Sequence, residues 1–109
     1  MDKIKRATNK RKAADTLVEN NYYTEAVAIY WHATRDILFS WLADRNIEYN
    51  STAEAMLRFI QKTEDRSLAE KLIFAETFGT LAEWDENITV NEQQALEFKA
   101  VCQLISNAL

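Results

Sequence analysis

The stretch YYTEAVAIYWHATRDILFSWL, residues 22–42, decides the fold of this chain. Apolar and small side chains recur in it at steps of three and four residues, which places them along one face of a helix. These residues are Val27, Tyr30, Trp31, Thr34, Leu38, Trp41 and Leu42. The pattern predicts a helix from about Thr24 to Arg45. At 1.5 Å per residue such a helix is roughly 30 Å long, so we expect it to be the central helix of a small domain.

Residues that break helices are nearly absent from the chain. Its 109 residues include one glycine, Gly79, and no proline. Folds built on β-sandwiches or doubly wound sheets use both residues in tight turns and phosphate-binding loops, whereas long helices joined by polar connections need neither. The composition therefore predicts an all-α protein, a single up-and-down bundle of four to five helices in one domain over residues 1–109.

The boundaries of the other helices follow from capping patterns. Three pairs have the form of a capping box, in which two residues three apart satisfy each other's free N–H groups. The pairs are Ser51 with Glu54, Ser67 with Glu70, and Thr89 with Glu92. They predict the starts of a third, fourth and fifth helix, and apolar spacing predicts a first helix from about Lys3 to Glu19. In the fourth helix the expected buried stripe is Leu68, Leu72, Ala75 and Leu81, and in the fifth it is Ala95, Val101, Cys102, Ile105 and Leu109.

Charge is distributed unevenly along the chain. Residues 1–12 contain six basic residues against one acid, Asp2, a charge of +5, so the remaining 97 residues must carry −9 to reach the net charge of −4. The basic residues are Lys3, Lys5, Arg6, Lys10, Arg11 and Lys12. Such an arm, prone to fraying because little of it can be buried, is a candidate site for nucleic-acid phosphates. It is equally typical of a soluble first helix that pairs with the acidic body of its own chain or of a neighbour.

His32, the only histidine, lies on the central helix with Arg35 and Asp36 close behind it. An imidazole with a carboxylate at i+4 can serve as a general base, and a site built on these three residues is the one enzymatic hypothesis that the chain offers. A base needs a nucleophile or a bound substrate, and no matching motif is present. We therefore predict that the protein is not an enzyme and that it has no catalytic residues.

The sequence predicts neither a metal site nor a cofactor. One histidine and one cysteine, seventy positions apart, do not supply the ligands of a common zinc site, and a single glycine excludes phosphate-binding loops. Cys102 lies on the apolar stripe of the last helix, where we expect an inert core thiol.

A lone cysteine suits a reducing compartment, and no apolar run is long enough to span a membrane. The expected location is the cytoplasm.

Three aromatic residues lie near predicted helix breaks, where an exposed ring can anchor a partner. They are Tyr22, Tyr23 and Trp84. We interpret the chain as a non-enzymatic interaction module, a homodimer or a binder of another protein, that uses an aromatic and apolar face. The alternative is a nucleic-acid or nucleotide binder that uses the basic arm.

The segment ADTLVENNYYTEAVAIYWHATRDILFSWLADRNI, followed by two shorter helices and a final EQQALEFKAVCQLISNAL, resembles HEPN domains, small all-α modules widespread in prokaryotes. The resemblance covers roughly residues 13–109. Many HEPN domains are metal-independent RNA nucleases with an Arg-x4–6-His motif at the head of the last helix. The corresponding stretch here, AEWDENITVNEQQA, contains neither Arg nor His. The resemblance therefore implies a degenerate member that binds, dimerises or acts as an antitoxin-like partner, and no catalytic residue carries over.

Overall fold

The computed structural model of the chain describes residues 3–109, with the exception of the side chain of Lys3. It contains five helices, α1 (Lys3–Glu19), α2 (Tyr23–Asp44), α3 (Thr52–Thr63), α4 (Arg66–Trp84) and α5 (Glu92–Ala108). No strand occurs in this range. The predicted all-α bundle is confirmed. Residues 1 and 2, the start of the predicted basic arm, lie outside the described residues.

Helix α2 is the centre of the bundle, as its pattern predicts. It packs against each of the other four helices. All seven residues of its predicted apolar face are buried. A face of this kind buries the largest side chains of the protein, and Trp31 and Tyr30 are the largest that are almost fully enclosed. Because large aromatic rings bury much apolar area, the burial of Trp31 and Tyr30 makes α2 a major contributor to the core's hydrophobic stabilisation.

The chain reverses direction between α1 and α2, as in an up-and-down bundle. Lys10 of α1 reaches Asp36 of α2, and Asp15, later in α1, is bonded by Tyr30, earlier in α2. Small side chains let the two helices approach closely, since Ala7 and Ala14 of α1 are completely buried. The basic N-terminal part of α1 therefore also packs against the bundle, through Ala7 and Lys10.

Helices α3 and α5 complete the arrangement around α2. Helix α3 lies by the end of α2, where the ring of Phe59 meets Trp41 edge-on at 5.0 Å between centroids. Helix α5 runs antiparallel to α1, because Gln103 contacts Arg11 and Lys99, earlier in α5, contacts a residue later in α1. Helices α2 and α5 consequently run in the same direction, and they pack directly against each other.

The first of the three predicted capping boxes marks a true helix start. The Ser51 hydroxyl accepts the N–H of Glu54 at 3.1 Å, and α3 begins at the next residue. The returning bond differs from the expected one, since the Glu54 carboxylate accepts the N–H of Asn50 at 3.4 Å. The start of the third helix is confirmed.

The other two predicted boxes are wrong by two residues. Helix α4 is capped by Asp65, whose carboxylate accepts the N–H of Leu68, and Ser67 lies inside the first turn. Helix α5 is capped by Asn91, which forms a reciprocal capping box with Gln94. Asp and Asn cap helices at least as well as Ser and Thr, so the stronger candidate in each connection determines where the helix begins.

Gly79 is the point of closest approach between α4 and α2. A Cβ atom at this position would lie 2.4 Å from Cβ and 2.6 Å from Cγ of Trp31. Gly79 therefore continues the buried stripe of Leu68, Leu72 and Ala75. The predicted member of that stripe, Leu81, is 40% exposed. It follows Ala75 by six residues, about 240° around the helix, and so faces away from the core.

Replacing Gly79 tests this contact. In an unconstrained helix Gly→Ala stabilises by about 1 kcal/mol. Here we expect Gly79→Ala to lower the free energy of unfolding by about 1–3 kcal/mol, because Trp31 and the backbone must shift to admit the methyl group. Urea denaturation followed by far-ultraviolet circular dichroism measures the change.

The matched control is Gln61→Ala, at an exposed position on α3 that lies outside the contact with α2 tested here. We expect it to leave the free energy of unfolding within about 0.5 kcal/mol of the wild type. A Gly79→Ala protein as stable as the control would show that α2 and α4 are not held at the distance seen here.

Candidate interaction surface

Helix α4 has a second apolar stripe on the side opposite its buried one. We call this stripe the outer α4 face; it consists of Ile73, Phe74, Thr77, Leu81 and Trp84. The steps of three and four between its members bring them to one side of the helix. The surface side of a bundle helix is ordinarily polar, and a helix that is apolar on all sides is ordinarily buried. Helix α4 is apolar on two sides and buried on one.

The outer α4 face concentrates exposed apolar surface. Ile73 is 50% exposed, Phe74 48%, Leu81 40% and Trp84 76%. These are four of the nine large hydrophobic side chains that are exposed within the described residues. The others are Ile4, Tyr22, Leu57, Leu96 and Leu104. Single exposed apolar residues are normal, but a contiguous set on one helix marks an interaction site.

A groove between α4 and α5 extends this face. Its floor is a cluster of three rings, with Phe74 and Phe78 stacked at 5.8 Å and Phe98 tilted against them at 6.0 and 5.5 Å. The cavity above them measures about 320 Å³, and Val101 and Glu97 of α5 line its far side. Phe98 is 1% exposed. It was not included in the predicted stripe of the last helix, although it lies three residues after Ala95.

The three predicted partner-binding aromatics occupy different environments. Trp84, at the end of α4, is the most exposed large apolar residue and belongs to the outer α4 face. Tyr22 is 57% exposed just before α2. Tyr23 is half-buried, and its hydroxyl bonds Asn21 at 2.7 Å and Glu92 at 3.1 Å. Burial and the Glu92 carboxylate raise the pKa of Tyr23. Trp84 and Tyr22 are thus available to a partner, whereas the hydroxyl of Tyr23 joins α2 to α5.

His32, Arg35 and Asp36 do not come together as one site. The Nε2 atom of His32 lies 2.8 Å from Oε2 of Glu83, which joins α2 to α4. Asp36, one turn later on α2, is only 9% exposed and is bonded to α1 instead. Its Oδ2 atom accepts a bond from the Lys10 ammonium at 2.6 Å. Arg35 takes part in neither pair. The two pairs connect different helices, so the geometry offers no shared base and substrate position.

The basic side chains of the predicted arm that the structure describes do not form one patch. The side chain of Lys3 lies outside the described part of the structure. Lys10 is held at the α1–α2 contact by Asp36, and the Arg11 guanidinium donates to Gln103 of α5 at 3.3 Å. Lys5, Arg6 and Lys12 are exposed. Lys5 and Lys12, seven residues apart, share one side of α1, whereas Arg6 lies about 100° around the helix from Lys5.

Asp15 connects α1 to both α2 and α5. It accepts a hydrogen bond from the buried Tyr30 hydroxyl, and the Lys99 ammonium lies 2.9 Å from its Oδ1 atom. Burial alone would raise the pKa of Asp15. The bonds from Tyr30 and Lys99, with the charges of Lys99 and Arg11, outweigh burial and hold this pKa below its ordinary value of 3.8. Burial and the Asp15 carboxylate raise the pKa of Tyr30.

Cys102 is a core thiol, as predicted. It is 3% exposed, and burial raises its pKa to about 11 against the opposing effect of a hydrogen bond with Thr34. The thiol therefore stays protonated at neutral pH and is a poor nucleophile. Among residues 3–109, no three His, Cys, Asp or Glu side chains are grouped as metal ligands.

Comparison with known proteins found no significant match to the chain. No protein-family model matches it, and neither a curated protein nor a solved structure is significantly similar to it. The HEPN resemblance therefore stays a prediction. Within the described residues, none of the helices combines the length and the apolar character needed to cross a membrane.

The Asp15 network predicts a particular pH dependence of stability. Because folding lowers the pKa of Asp15, its contribution is complete above the unfolded pKa near 3.8 and is lost as pH falls through the folded value. We expect Asp15→Asn to reduce the free energy of unfolding by about 1 kcal/mol at pH 7, since the carboxylate is partly screened by solvent. Urea denaturation from pH 7 to pH 3 should show this difference shrinking below pH of about 4.

Asp44→Asn is the matched control, since Asp44 is an exposed carboxylate at the end of α2. We expect its effect to stay within about 0.5 kcal/mol at every pH. A difference between Asp15→Asn and wild type that stays constant down to pH 3 would contradict the role assigned to the ionised carboxylate.

Proposed function

We propose that this protein is a non-enzymatic interaction module that self-associates through the outer α4 face and the adjoining α4–α5 groove. The observation that supports the proposal is the second apolar stripe of α4. Water contact with this stripe is unfavourable, and each large side chain that becomes fully covered contributes about 1.5–3 kcal/mol. A second copy of the chain covers it most simply, because twofold pairing buries the same patch on both molecules.

The size of the surface fits a dimer. Helix α4 has 19 residues and α5 has 17. Two neighbouring helices of this length present a face of roughly 25 by 20 Å. A stable interface buries about 800 Å² on each partner, and the corrugated face of two such helices supplies an area of that order.

The ends of α4 favour an antiparallel pairing with its copy. Arg66 at the first position and Trp84 at the last lie eighteen residues, or five turns, apart and so share one side of the helix. The side chain of Arg66 is 93% exposed, and Trp84 is 76% exposed. Ala75 is midway between these two residues along α4. If the twofold axis crosses the outer α4 face at that level, each Arg66 meets the Trp84 of the other copy. A guanidinium over an indole ring is a favourable contact.

The proposal agrees with what the HEPN resemblance implies, a catalytically inactive module that dimerises. We place it in the reducing cytoplasm, which suits the single buried thiol of Cys102. No catalytic role is assigned to His32, because its ring is engaged by Glu83.

Light scattering across a hundredfold concentration range tests self-association. We expect a mass near twice 12.7 kDa, unchanged in 1 M salt because the contact is apolar. Leu81→Asp should produce a monomer, with a dimer Kd raised by about a hundredfold or more, since each interface would bury an unpaired carboxylate.

Leu57→Asp is the matched control, since Leu57 is 52% exposed on α3, away from the outer α4 face. It should leave the mass unchanged. A wild-type protein that is monomeric over the whole range, or a dimer that Leu81→Asp does not weaken, would reject the proposal.

A second candidate function is binding of nucleic acid through the exposed cations of α1. Lys5, Arg6 and Lys12 lie on the surface of the most basic segment. Replacing Lys5, Arg6 and Lys12 together with Gln should abolish binding to a single-stranded RNA oligonucleotide in a fluorescence-anisotropy titration. Binding by the whole chain should fall steeply between 50 and 200 mM salt, as expected for phosphate contacts. RNA affinity that persists in the variant with all three cations replaced would reject this candidate.

A further inference from the structure

A cavity of about 350 Å³ lies between α1 and α5, on the flank of α5 that faces away from the α4–α5 groove. Its volume lies within the range of small-molecule sites. The charged and polar residues that line it are Thr8, Arg11, Lys12, Asp15, Lys99 and Gln103. Tyr30 and Cys102 form its inner wall. The outer α4 face contributes no residue to it.

The charge of this cavity is positive although the protein is acidic. Three cations line it, Arg11, Lys12 and Lys99, against one carboxylate, Asp15. The Asp15 carboxylate is already paired, because it accepts bonds from Tyr30 and from Lys99. Two positive charges are therefore left in excess at the lining. The inner wall adds no negative charge, since the thiol of Cys102 and the phenol of Tyr30 both have raised pKa values.

The cations retain hydrogen-bond donors that can point to a ligand. Arg11 uses one N–H on the neutral amide of Gln103, in a long contact of 3.3 Å. A guanidinium has five N–H groups and an ammonium has three. A bond between a guanidinium and an anionic oxygen is stronger than one to a neutral amide, so an anion can take over the Arg11 donors without breaking a strong internal contact.

We propose that this cavity binds a small phosphate monoester, with Arg11, Lys12 and Lys99 holding the phosphate. A phosphate monoester carries close to two negative charges at neutral pH, which matches the excess charge of the lining. Arg11 bonds two phosphate oxygens in the forked geometry of a guanidinium, and the two lysines act as point charges. The cavity is larger than a phosphate ion, so the ring of Tyr30 and the side chain of Cys102 are left to contact the organic group.

The position of the cavity between α1 and α5 explains why the ligand is a small molecule and not a nucleic-acid chain. The cavity is set between two helices, and its three cations, Arg11, Lys12 and Lys99, form one local cluster. A continuous strand needs a groove of cations and stacking rings along its path, whereas a terminal phosphate needs one local cluster. This inference does not depend on self-association, because the outer α4 face and the cavity share no residue.

Nuclear magnetic resonance titration of the full chain tests the proposal. Inorganic phosphate and glycerol 3-phosphate are added at pH 7.5, with sodium chloride adjusted to keep the ionic strength constant. We expect saturable shifts of the backbone amides of residues 8–15 and 99–103, with glycerol 3-phosphate binding more tightly than phosphate. Arg11→Met and Lys12→Met should each raise Kd about tenfold, as for the loss of a charge-assisted bond.

Lys62→Met is the matched control, since it removes the same charge from an exposed position on α3; its Kd should stay within twofold of the wild-type value. Lys12 is exposed, so the Lys12→Met chain tests the site even if Arg11→Met does not fold. Shifts that grow linearly without saturation, or equal Kd values for Lys12→Met and Lys62→Met, would overturn the proposal. A single-stranded oligonucleotide that lacks terminal phosphates should compete poorly with glycerol 3-phosphate. Equal competition would also overturn the proposal, because the site would then recognise the nucleic-acid backbone and not a terminal phosphate.

Discussion

The contact between Trp31 and Gly79 determines how the bundle is assembled. A glycine in the interior of a helix costs stability relative to alanine, and the chain uses its single glycine at the one place where no Cβ atom fits. The absence of a side chain lets α4 approach α2 until its backbone covers the indole of Trp31, which is 2% exposed. Burial of so large a ring outweighs the cost of the glycine. The rotation of α4 about its own axis follows from this contact.

That rotation decides what α4 shows to solvent. With Gly79 facing α2, the residues a half-turn away must face outward, and in this chain they are Phe74, Leu81 and Trp84. A polar outer side would have made α4 an ordinary surface helix. The apolar residues found there instead form the surface that supports the proposal of self-association, so the same contact that completes the core also creates the candidate interface.

The contact between α1 and α2 is built differently. Helices α1 and α2 approach through alanines, and polar side chains are directed to the edges of the contact, where Lys10 meets Asp36 and Asp15 meets Tyr30. Since a buried carboxylate is costly without a partner, each acid here is bonded to a group on another helix. Basic residues that look like a solvated arm in the sequence therefore serve in part to neutralise the body of the protein. Arg11 and Lys12, with Lys99 of α5, border the cavity that we assign to a phosphate monoester.

Several features could be read from the sequence alone. The α2 stripe, the absence of proline and the scarcity of glycine determined an all-helical bundle around α2, because periodicity and backbone preference are local properties. The sequence predicts helix starts less accurately, because Asp65 and Asn91 compete with neighbouring Ser and Thr residues as caps. Only the tertiary structure decided that Leu81 lies outside and Gly79 inside, and that Asp15 gathers Tyr30 and Lys99. The reason is physical: a helical repeat shows which residues share a face, but the face that is buried depends on which neighbouring helix comes closest.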